Sequence, residues 1–85
     1  MINIIGAKYI SGYELELTFN SGLVASVDLS EELSGEVFEP LRNIENFKKF
    51  FINSDTGTIE WANGADFAPE FLLDLAKQQQ HLHVV

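Results

Sequence analysis

The segment Tyr13-Glu14-Leu15-Glu16-Leu17-Thr18-Phe19 alternates apolar and polar residues without a break. That period of two is the signature of a strand with one buried face and one wet face, because successive side chains of a strand point to opposite sides. Asn20-Ser21-Gly22 follows as a hairpin loop, with Gly22 free to take a positive φ. Leu23-Val24-Ala25-Ser26-Val27-Asp28 then returns as a partner strand. Upstream, residues 2–10 carry Ile2, Ile4, Ile5, Tyr9 and Ile10, which suits a first strand with apolar side chains on both faces, and Ser11-Gly12 closes it with a turn. Three strands joined by short turns form an antiparallel meander.

A chain of 85 residues allows one small domain, and with no cysteine it has no disulfide to support it. Stability must come from apolar burial, and a hydrophobic content of 46% with seven Phe, one Trp and two Tyr supplies the material. Thirteen acidic against five basic side chains give a formal charge of −8. Such a charge repels polyanions, so direct nucleic-acid binding and anionic membrane binding are not expected. The start Met1-Ile2-Asn3-Ile4-Ile5-Gly6 lacks the pattern of a secretory signal, and no apolar run reaches the ~18 residues of a membrane helix. The expected location is therefore cytoplasmic.

After the meander the pattern changes. Leu29 to Glu39 mixes glutamates with Leu29, Leu33, Val37 and Phe38, an irregular connection with room for one helical turn. Asn43 is placed to cap a short helix from Ile44 to about Phe50, with Glu45 in its first turn and Lys48 and Lys49 in its last. Phe50 to Ser54 and Gly57 to Trp61 form two more strands around the turn Asp55-Thr56-Gly57. Pro69 opens a last helix running to about Gln79, with Asp66 or Ala68 near its cap and Phe71, Leu72, Leu75 and Ala76 as its apolar stripe. The order β-β-β-α-β-β-α predicts an α+β fold, a small antiparallel sheet covered on one face by one helix or both. Residues 1–77 make the domain and residues 78–85 a flexible tail.

Four motifs in this order resemble the bacterial family named domain of unknown function 2442. The hairpin ending Asn20-Ser21-Gly22 is loosely similar to the family's L-x-x-x-F-x-(D/N)-G run, with one residue inserted before Gly22. Val27-Asp28-Leu29 ends the third strand, and Val37-Phe38-Glu39-Pro40-Leu41 followed by Phe47 resembles F-x-P-L…F. The most specific is Gly57-Thr58-Ile59-Glu60-Trp61-Ala62-Asn63-Gly64-Ala65-Asp66-Phe67-Ala68-Pro69-Glu70, with Ala62 where the family often has proline. The resemblance covers residues 1–76. It implies a small α+β fold with no established enzyme activity. It also implies two genetic settings: members placed before a helix-turn-helix domain, and members encoded beside a second small protein, as in toxin–antitoxin pairs.

Two surfaces are candidates for function. Trp61, Asn63, Gly64 and Asp66 make a recognition loop, with Trp61 as an aromatic anchor and Asp66 as an acceptor. The same residues also serve structure, through a tight turn at Asn63-Gly64, a packed Trp61 and an Asp66 cap on the last helix. Glu31, Glu32, Glu36 and Glu39 form an acidic docking surface for a basic protein partner, or simply a solvated connection. An alternative class, a small ligand-binding or enzymatic domain, would use Asp28, Trp61 and Asp66, with the two carboxylates converging for acid/base or metal chemistry. Asp28 also suits a turn, bonding its own backbone. His81 and His83 could share one side of an extended tail, but two ligands without a third make no metal site. No catalytic motif, phosphate loop, calcium loop or cofactor signature is present. The reading favoured is a non-enzymatic protein-interaction module, antitoxin-like in a two-gene pair, with a homodimer among the options because a small sheet has open edges.

Overall fold

The computed structural model describes residues 1–81, apart from the side chain of His81. Strands β1 (Ile4–Ser11), β2 (Glu14–Phe19) and β3 (Val24–Asp28) form an antiparallel sheet in the order β1-β2-β3. The alternation in β2 is realised residue by residue: Leu15, Leu17 and Phe19 are buried, and Glu14, Glu16 and Thr18 line the other face. In β3, Ala25 and Val27 are buried while Val24, Ser26 and Asp28 are exposed. Register sets Glu14 opposite Asp28, Glu16 opposite Ser26 and Thr18 opposite Val24. In β1 the register slips between Ile4 and Gly6; Ile4, opposite the buried Phe19, enters the core, while Ile5 at the bulge stays 60% exposed.

The connection after β3 holds two short 3₁₀ turns, Ser30–Glu32 and Glu39–Arg42, with Leu29, Leu33 and Leu41 buried as its anchors. Helix α1 (Ile44–Phe47) begins where expected, with the Asn43 carboxamide oxygen accepting from the amides of Glu45 and Asn46. It ends three residues earlier than the charge pattern predicts, because Phe51-Ile52-Asn53 is drawn into strand β4. Strand β4 (Phe51–Asn53) pairs with β5 (Thr58–Glu60) as a separate two-stranded sheet. The five strands thus divide between two antiparallel sheets. With only three residues each, β4 and β5 end before a longer ladder can form. The sheets are linked where the Ile4 amide donates to the Gly57 carbonyl at 2.7 Å. Gly57 sits at φ +73°, and a Cβ there would collide with the side chain of Asn3.

Helix α2 (Pro69–His81) packs beside β3 and buries Leu72, Leu75 and Ala76. Phe71 leaves the predicted stripe: it is 39% exposed, with its ring stacked on Phe67. The predicted domain boundary after Lys77 falls inside this helix. Between helix and sheets runs a series of aromatic contacts, Tyr13 to Phe47 at 5.3 Å, Phe47 to Trp61 at 5.7 Å and Trp61 to Phe67 at 6.0 Å. Each fully buried large side chain contributes roughly 1.5–3 kcal/mol relative to exposure, so this cluster holds the two sheets together. No helix of the described residues is long and apolar enough to cross a membrane.

Candidate functional site

The wet faces of β2 and β3, the 3₁₀ turn Ser30–Glu32 and the last turns of α2 enclose an open groove of about 760 Å³. Five carboxylates line it, from Glu14, Glu16, Asp28, Glu31 and Glu32. Opposite them, α2 presents Leu75, Gln78, Gln79 and Gln80. Among the described residues no three His, Cys, Asp or Glu side chains are grouped to hold a metal ion, so the carboxylates form a field rather than a cage.

The hydrogen-bond phase of the ladder decides what else the groove offers. Leu29 donates to the Tyr13 carbonyl and Phe19 to the Leu23 carbonyl, so the odd residues of β3 turn their main-chain groups toward β2. The even residues Val24, Ser26 and Asp28 therefore turn theirs outward, along the open edge. At Asp28 that edge is closed by a side chain: Gln79 accepts from the Asp28 amide at 2.8 Å and donates to its carbonyl at 2.9 Å. The Gln79 carboxamide occupies the place a neighbouring strand would take. The Asp28 carboxylate accepts from the Ser30 amide at 2.9 Å, the turn role the sequence suggested.

The acidic set expected from the sequence is divided. Glu31 and Glu32 line the groove, whereas Glu36 and Glu39 stand outside its lining. Glu39 lies 4.0 Å from the Arg42 guanidinium, both side chains well exposed. Glu14 and Glu16 join the surface in their place. Their signal was present in the alternation of β2, whose even positions share one face, but the sequence alone does not say that the Ser30–Glu32 turn and the end of α2 complete a groove with them.

The Trp61 to Asp66 segment is built from internal bonds. Trp61 is 2% exposed, and its indole NH donates to the Phe47 carbonyl at 2.8 Å. Asn63 donates to the Val37 carbonyl at 2.9 Å and accepts from the Ala65 amide at 3.1 Å, which fastens the acidic connection to this turn. Gly64 takes φ +91°, a conformation that suits glycine. Trp61 and Ala65 share a main-chain bond at 2.9 Å, and Gly64 donates to the Trp61 carbonyl. Asp66 is exposed and bridges to Glu60 through the backbone. Of the two positions expected near the cap of α2, Ala68 is the one whose carbonyl takes the Leu72 amide.

Asp28, Trp61 and Asp66 do not line one cavity. Asp28 belongs to the acidic groove. Trp61 and Asn63 touch a smaller recess of about 240 Å³ with Pro40, Leu41, Asn46, Lys49 and Ala62, and Asp66 lines neither. The side chain of His81 and the whole of His83 lie outside the described residues.

The fold is similar to a crystal structure from Nitrosomonas europaea whose protein is named as a candidate DNA-binding protein, with a TM-score of 0.84 and 23% identity. The match covers 95% of this chain and 52% of that one, so the chain spans about half the length of the neighbour. That neighbour corrects the expectation that direct nucleic-acid binding is excluded. The exclusion rested on net charge, a property of the whole surface, and a DNA-binding name on a chain that contains this fold removes it. No curated protein matches the chain. The profile of the family described as protein of unknown function (DUF2442) matches residues 4–78, and the chain belongs to that family.

Proposed function

We propose that the domain is a non-enzymatic protein-interaction module that works through the groove beside β3. The observation that supports this reading is the pairing of five carboxylates with an open strand edge on one surface. Strand edges and charged rims are what protein partners recognise, the first through main-chain hydrogen bonds and the second through steering. The enzymatic alternative needs Asp28, Trp61 and Asp66 around one cavity, and the geometry offers it no support.

The fold neighbour is named for DNA binding, and this chain spans about half its length. In the proposed reading the domain contributes protein contacts to a DNA-linked assembly. Its counterpart is sought in the product of the adjacent gene, the antitoxin-like arrangement that the family resemblance implies. Co-expression of the two products tests this. A complex that co-elutes at low salt and dissociates as salt rises is the expected result. Separate elution at low salt overturns the reading.

A further inference from the structure

We propose that the outer edge of β3 at Val24 and Ser26 is a strand-addition site for an extended segment of a partner protein that carries lysine or arginine at alternate positions. The proposal rests on the interaction-module reading and names the surface and the chemistry of its partner.

The ladder phase turns the N–H and C=O groups of Val24 and Ser26 away from β2, and no hydrogen bond reaches them among the described residues. Both residues are exposed, Val24 to 49%. The edge has defined ends. At one end the Gln79 carboxamide holds both main-chain groups of Asp28. At the other, the Gly22 amide is committed to the Phe19 carbonyl in the turn. An incoming strand therefore meets one register, pairing with Ser26 and Val24. The bond between Gln79 and Asp28 already shows a carboxamide bonded at the next outward residue, in the donor and acceptor pattern a strand would use.

Charge selects the occupant. A residue placed opposite Ser26 points its side chain to the same face as Ser26 and Glu16, which are cross-strand neighbours. Two strand spacings, about 10 Å, separate that residue from Glu16, within reach of a long basic side chain at an oblique angle. Glu14, Asp28, Glu31 and Glu32 surround the same path. A lysine or arginine at every second position of the segment thus meets carboxylates, and the intervening side chains face Leu75 on α2 or solvent. A second copy of this chain is disfavoured as occupant: antiparallel pairing of β3 with itself would set the same carboxylates against one another.

The test uses the full chain and a synthetic peptide of alternating lysine and valine. Fluorescence anisotropy should show saturable binding. Methylation of the peptide nitrogens that face the edge should weaken binding about tenfold or more at unchanged charge, the effect of losing two hydrogen bonds. Ser26→Pro removes the outward N–H and leaves the bonds between β3 and β2 in place, and should weaken the unmodified peptide about threefold or more, the effect of losing one hydrogen bond. Equal binding of the methylated and unmodified peptides overturns the proposal, because attraction by charge alone would give that result. So does undiminished binding to a folded Ser26→Pro chain. If that variant does not fold, the methylated peptide on the unaltered chain still decides. A complex with the adjacent gene product that survives these changes overturns the edge site while leaving the interaction-module reading intact.

Discussion

The indole of Trp61 donates its hydrogen bond to the main-chain carbonyl of Phe47, the last residue of α1. One ring thereby joins the short helix to the β4-β5 hairpin, and its tilted contact with Phe47 and edge-on contact with Phe67 spread that junction through the core.

Trp61→Ala removes a buried aromatic and leaves the Phe47 carbonyl without its donor. A loss of about 3–5 kcal/mol is expected in urea unfolding. Trp61→Phe keeps the apolar contact and loses the donor, and should cost less, about 1–3 kcal/mol. A near-neutral Trp61→Ala would contradict the buried placement.

Asn63 makes two bonds that separate by chemistry. Asn63→Asp keeps the oxygen that accepts from Ala65 and discards the NH2 that donates to Val37. Hydrogen exchange should accelerate around Val37 and Phe38 in Asn63→Asp, whereas Asn63→Ala should also loosen the Ala65 amide. Identical exchange profiles for the two variants would refute this division.

Gly57 is constrained by both conformation and space. Gly57→Ala should destabilise by about 1–3 kcal/mol from the positive φ, with a further loss from the clash with Asn3. Adding Asn3→Ala should recover the steric part and leave the conformational part. A double-mutant cycle measured by thermal unfolding gives the coupling, and a coupling of zero would show that the two side chains never meet.

The groove and the rest of the acidic connection should differ in association kinetics. Charge reversal at Glu31 and Glu32 should slow capture of a basic partner by about tenfold at low salt, with the gap closing as salt rises. Reversal at Glu36 and Glu39, which stand outside the groove, should change the rate far less. Stopped-flow rates at two ionic strengths check this, and equal effects from both pairs would sink the assignment.

The fold was legible in the sequence wherever a local rule governed it. Alternation placed β2 and its buried face, Asn43 announced its helix through its own side chain, and Asn63-Gly64 announced its turn. Features that depend on meeting between distant segments were not legible. The strands divide between two sheets, and the join between them, where Gly57 meets Asn3 and Ile4, brings together residues far apart in sequence. The acidic surface was sought in Glu31 to Glu39 because those charges are neighbours in the chain. The groove instead draws Glu14 and Glu16 from β2 through register, and leaves Glu36 and Glu39 aside. Exclusion of nucleic acid failed for a related reason: a sum of charges has no location.

The Gln79 carboxamide at Asp28 also bears on how the chain survives at high concentration. Ordered stacking of strands into fibrils draws on segments of about six uninterrupted residues. A side chain from α2 plugs one end of β3, leaving a stub with two outward-facing residues beside a wall of like charge. Replacing that glutamine with leucine would lengthen the exposed rim by one outward residue, so resistance to aggregation in this sheet protein is written partly in its helix.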